Sequence, residues 1–121
     1  MKTLFFSQVR DRTIPTLEKV LEDLKSTLQD LCQTYRIEDL SHLKYWTIVV
    51  NHTEIKKKNG KTYRRVQLKA FYGQEGKTRS KTIKSWSETK APRHLQSLVA
   101  LYRACLYLSH ACDYLFSLKY L

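Results

Sequence analysis

The stretch "KKKNGKTYRRVQLKAFYGQEGKTRSKTIK", residues 56–84, interleaves cations and aromatic rings and contains a single acid, Glu75. Lys and Arg neutralise phosphates and release counterions, while Tyr and Phe offer π-faces to unpaired bases or pack on sugars. The chemistry these residue types can do together is polyanion binding, and nucleic acid, DNA or RNA, is the expected partner. Lys56, Lys57, Lys58 and Lys61 surround Asn59-Gly60 and suit gripping a backbone rather than reading bases. Tyr63, Arg65, Lys69 and Phe71 occupy alternate positions between this loop and Gly76, and Lys77, Arg79 and Lys81 alternate again beyond it. These eleven side chains form the candidate site.

The charge distribution points the same way. The formal net charge is +11. Residues 1–43 carry six basic and seven acidic side chains, residues 44–93 fourteen and three, and residues 94–121 two and one. The whole excess therefore lies in the middle of the chain. A field so concentrated costs the folded state self-repulsion, which a polyanionic partner relieves.

Enzyme chemistry finds less to work with. His52 and Glu54 alternate on one face of a predicted strand, yet no third ligand stands at a metal-binding spacing, so no metal or other cofactor is expected. His110 and Cys112 are two apart on a predicted helix and diverge by about half a turn. No Walker loop, GxSxG, HExxH or paired-carboxylate constellation occurs. The expectation is a non-enzymatic binding protein.

Three Cys without a CxxC spacing (Cys32, Cys105, Cys112) fit a reducing compartment, cytoplasmic, or nuclear in a eukaryote. The apolar run Leu4 to Phe6 is too short for a signal-peptide core, and no stretch has the ~18 apolar residues of a membrane span.

The elements that must position the cations can be read from periodicity. Thr13 as cap and Pro15 in the first turn open a helix over 13–36, with Ile14, Leu17, Leu21, Leu24, Leu28, Leu31 and Tyr35 on one face. Residues 45–86 read as a three-stranded antiparallel meander, its β-branched first strand running from Tyr45 to Ile55. Three-residue loops at Lys58-Asn59-Gly60 and Gln74-Glu75-Gly76 put Trp46, Ile48 and Val50 on one face with Val66, Leu68, Ala70 and Tyr72. The other face then carries Tyr63, Arg65, Gln67, Lys69 and Phe71, with Lys77, Arg79 and Lys81 beside them. Ile83 and Lys84 fall on the wrong faces unless a bulge intervenes.

A second helix runs over 91–120, with Pro92 in its first turn. It has one apolar stripe through Leu95, Leu98, Val99, Tyr102, Cys105, Leu106, Cys112 and Phe116, and another through Leu101, Leu108 and Leu115. The second stripe needs the first helix or another protein to cover it, so the alternative reading is an adaptor that binds an acidic protein partner or joins a larger nucleoprotein complex through this helix, and a homodimer through the same helix is a further expectation.

The order strand, basic turn, strand, basic turn, strand, helix over about residues 45–110 is similar in outline to the small three-stranded DNA-binding domains of some phage integrases and to AP2-like domains. That resemblance implies a sheet face lying in the major groove and assigns no role to any residue here. The expected fold is a single α+β domain over 1–121, helix, meander, helix, with both helices on the apolar side of the sheet.

Overall fold

A computed structural model describes residues 6–117. The chain forms helix α1 (Ile14–Tyr35), strands β1 (Thr47–Lys56), β2 (Thr62–Gln74) and β3 (Lys77–Ser87), and helix α2 (Leu95–Phe116). The sheet is antiparallel in the order β1-β2-β3, and the fold is α+β, as the periodicities predict. Residues 118–120 of the expected second helix lie outside the described residues.

Both helices start differently from expectation. Thr13 is already helical and makes no side-chain cap. A π-helical turn, Val9–Thr13, precedes α1, and the Ile14 N–H donates to the carbonyl of Val9, five residues back. Pro15, next in line, has no N–H to give, so the chain passes it through one widened turn. At α2, Pro92 lies before the helix, and His94 occupies the cap position with Leu95 as the first helical residue.

The core lies between the helices and one face of the sheet. Ile48, Leu68 and Ala70 of the sheet are wholly buried with Leu28, Leu98, Tyr102 and Cys105 of the helices. This is the inner-face register expected for β1 and β2: Ile48 pairs with Ala70 and Val50 with Leu68. The first hairpin has the three-residue loop predicted for it. The Gly60 N–H donates to the Lys57 carbonyl at 3.0 Å with Gly60 at φ 77°, a conformation open to glycine without steric cost.

The second hairpin is one residue shorter than expected. Gln74 pairs with Lys77, leaving a two-residue loop in which Glu75 and Gly76 both have positive φ, 53° and 74°. Such mirror-image turns match the twist of the flanking strands. The slip moves every side chain at the start of β3 to the opposite face. Lys77, Arg79 and Lys81 therefore lie on the helix side of the sheet, with Tyr72 and Ala70, instead of beside Lys69 and Phe71.

A bulge opposite Leu68/Lys69 then shifts the register again and leaves Ile83 packed against the core. Lys84 stays on the inner face opposite Leu68 and reaches the end of α1, where its ammonium donates to the carbonyls of Tyr35 (3.1 Å) and Arg36 (3.3 Å). A cation there satisfies carbonyls that the helix leaves unpaired and complements its dipole.

Lys81 has a structural partner as well. Its ammonium lies 2.8 Å from Glu38, which also meets Lys44 at 3.2 Å and accepts the Tyr45 hydroxyl at 2.9 Å. Partial burial pushes the Glu38 carboxyl up, but the hydrogen bonds from Lys81, Tyr45 and Lys44 together outweigh it and hold the group below its ordinary range. A depressed carboxyl contributes stability that is complete above its unfolded pKa and is lost as pH falls through the folded one. Acid titration followed by circular dichroism should accordingly show Glu38→Gln with a flatter loss of stability below pH ~4 than the parent. Parallel curves would mean that the cluster adds nothing to stability.

Candidate nucleic-acid interface

The helices cover one face of the sheet and leave the other open. Alternation and register place on the open face Thr47, Val49, Asn51, Thr53 and Ile55 of β1, with Tyr63, Arg65, Gln67, Lys69 and Phe71 of β2. From β3 come Thr78, Ser80 and Thr82 and, past the bulge, Ser85 and Ser87. Among the described residues no carboxylate stands on this face: Glu54 points to the inner side, Glu75 is in the turn, and Glu88 follows the end of β3.

Arg65 and Lys69 are the cations of the open face. Both are half-buried among neighbouring side chains. Arg65 donates from Nε to the Ser85 hydroxyl at 2.8 Å. That bond orients the guanidinium and leaves its other donors for a ligand. Lys69 pairs with Val49 and Thr82 across the sheet and has no acidic partner among the described residues.

At the β1/β2 turn, Lys56, Lys57, Lys58 and Lys61 are all exposed. The Lys57 ammonium sits over the Tyr63 ring, 4.3 Å from its centroid. This cation–π contact ties the loop to the open face, but it also occupies the ring that the sequence assigns to stacking. A base stacking on that face of Tyr63 would displace Lys57.

Of the eleven predicted residues, the structure thus brings together the loop lysines, Tyr63, Arg65, Lys69 and Phe71. It separates Lys77, Arg79 and Lys81, which the shorter second turn directs toward the helix side.

Trp46 is the residue that sequence reasoning misplaces. Its expected inward position is taken instead by Tyr45, which is buried with its backbone N–H and carbonyl both bonded to the Tyr102 hydroxyl, at 3.0 and 2.6 Å. The chain bends at this point. The Trp46 N–H donates to the Phe71 carbonyl at 2.8 Å, and the side chain is 59% exposed.

The Trp46 indole rests against Gly73, where a Cβ would collide with the six-membered ring. A Cβ at Gly73 would project to the same side as Phe71 and Lys69, so the indole belongs to the open face. A glycine inside the strand, beside the second turn but not required by it, is the signal that could have located it, since such glycines mark close approach.

An open cleft of about 420 Å³ lies at the turn end of the sheet, lined by His52, Thr53, Glu54, Arg64, Arg65 and Glu88. Arg64 and Glu54 pair across it at 3.2 Å. Its mixed charge gives it less appeal for a polyanion than the carboxylate-free face. Among the described residues no three His, Cys, Asp or Glu side chains converge on one point, and no helix is long and apolar enough to cross a membrane.

No protein family, no curated protein and no solved structure matches the chain.

Proposed function

We propose that the protein binds nucleic acid through the open face of its sheet and the adjoining lysine loop, without catalysing a reaction. The observation that carries this reading is the composition of the uncovered face: among the described residues it holds Arg65 and Lys69, amides, hydroxyls and aromatic rings, and no carboxylate. Cations supply affinity for phosphates, and Asn51, Gln67 and the β3 hydroxyls supply donors and acceptors for base edges or sugars. Self-repulsion in the middle of the chain is tolerated in part through Glu38 and in part through the polyanion that the open face receives.

The test is fluorescence anisotropy of labelled DNA and RNA, single-stranded and duplex, titrated across salt beside heparin. Arg65→Ala and Lys69→Ala should each weaken binding and flatten the slope of log K against log salt by about 0.7 to 0.9 for each lost phosphate contact. A slope that neither substitution changes would place the ligand on another surface.

An adaptor role is the second reading, and α2 supports it. Leu101 packs against the core, Leu108 and Leu115 are half-buried, and α1 lies along α2. The leucine stripe is thus at least partly covered within the chain. Tyr107 and Tyr114, 65% and 80% exposed, remain as candidates for a protein contact. Sedimentation at micromolar concentration decides whether a second copy is that contact, since a monomer there removes the homodimer.

A further inference from the structure

We infer that the open face takes unpaired bases, with Trp46 as the stacking residue, so that the ligand is a single strand rather than a duplex. This deepens the proposed function and rests on it.

Three observations lead there. First, Trp46 is exposed yet held: its backbone is bonded to Phe71 and its indole abuts Gly73. Gly73 lies within β2 and has no positive φ, unlike the turn residues Gly60 and Gly76, so backbone conformation does not require a glycine there. What the missing side chain provides is room for the indole. Second, the core does not use this ring, because Tyr45 fills the inward position beside it. A large apolar side chain that is immobilised but left in water is poised for a ligand rather than for folding.

Third, the ring stands where a strand would need it. Phe71, half-buried on the same face, is bonded through its carbonyl to Trp46, and Lys69 and Arg65 succeed it along β2 toward the lysine loop. From Phe71 to Tyr63 the strand spans about 27 Å at 3.4 Å per residue, the length of about eight stacked nucleotides. A single strand laid along β2 would meet the aromatic pair at one end, cations and amides in the middle, and the loop lysines at the other. A duplex keeps its base faces inside the stack and offers Trp46 nothing to stack on.

The experiment uses Trp86→Phe, in which Trp46 is the sole tryptophan. Its emission is monitored as twelve-nucleotide single-stranded DNA, single-stranded RNA and the matched duplexes are added. The expected result is quenching by a single strand and none by a duplex. Response to both DNA and RNA strands indicates stacking alone, and response to RNA alone adds recognition of the 2′-hydroxyl. Trp46→Ala should lower single-strand affinity between about fivefold and a hundredfold while leaving the salt slope unchanged.

Gly73→Ala provides a second variant. It keeps the indole but pushes it off its seat, and should reproduce much of the loss in a protein that melts near the parent temperature. If single strands and duplexes bind alike and neither variant changes single-strand affinity, the stacking inference is wrong while the nucleic-acid reading stands. If no nucleic acid binds above heparin, both fall together.

Discussion

Tyr102→Phe should be among the most destabilising single-atom deletions in the chain, lowering stability by about 2–4 kcal/mol. The Tyr102 hydroxyl is buried and serves two backbone groups at once, donating to the Tyr45 carbonyl at 2.6 Å and accepting the Tyr45 N–H at 3.0 Å. Phenylalanine fills the same volume, so no cavity term enters. The cost comes from leaving a buried donor and a buried acceptor unpaired. For a domain of this size that corresponds to a fall in melting temperature of about 10 °C.

The same deletion should reach the binding face. Tyr45 and Trp46 are consecutive, and the tie from Tyr102 fixes the bend that sends one ring inward and the other outward. Loosening it should broaden the orientations of the indole, so Tyr102→Phe is expected to weaken Trp46-dependent quenching even at temperatures where the protein stays folded. Burial also pushes the Tyr102 phenol above its ordinary pKa. Its contribution is then complete below the unfolded pKa near 10 and is lost as pH rises through the folded value. Alkaline unfolding that is steeper in the parent than in Tyr102→Phe would show this. A melting temperature within about 2 °C of the parent would mean that water replaces the hydroxyl, and the bend would need another explanation.

How far the sequence discloses this arrangement depends on which rule governs each part. The inner face of β1 and β2 is legible because a one-residue slip would set Lys69 among aliphatics, which burial disfavours. At the second turn, Gln-Glu-Gly fits a two- or a three-residue loop, and the apolar pattern of β3 is too weak to choose. Its inner positions include Lys77 and Arg79, which are exposed, and Lys81 and Lys84, whose ammonium groups reach Glu38 and the end of α1. Those partners lie more than forty residues away in sequence, so no local pattern could reveal that these lysines serve the inner side. Trp46 escaped for a related reason. Alternation assigns it inward, and the contacts that reverse this, Tyr102 with Tyr45 and the indole with Gly73, are tertiary, with the strand glycine as their one trace in the sequence.

The position of Lys77 and Arg79 on the helix side of β3 allows the sharpest test of which face binds. Replacing Lys56, Lys57, Lys58 and Lys61 together by Gln should cost affinity for a single strand by about a hundredfold or more at physiological salt, because four phosphate contacts at a slope of ~0.7 each carry roughly that much counterion release. The loop is exposed and its turn is set by Asn59 and Gly60, whose contacts the substitutions leave intact: the Lys61 N–H donates to the Asn59 side chain at 3.1 Å whatever stands at position 61. Folding should therefore be preserved. Lys77→Gln with Arg79→Gln removes two exposed cations of the same sign from the helix side of β3. If the open face is the interface, that pair should change affinity by no more than long-range screening allows, a few-fold at low salt and less at 0.15 M. Lys81 is best left out of this comparison, because its loss would also release Glu38. Equal losses from the loop set and the β3 pair would mean that the ligand wraps the edge of the sheet. A larger loss from the β3 pair would move the interface to the helix side, where Lys44, Lys77 and Arg79 would become the residues to study.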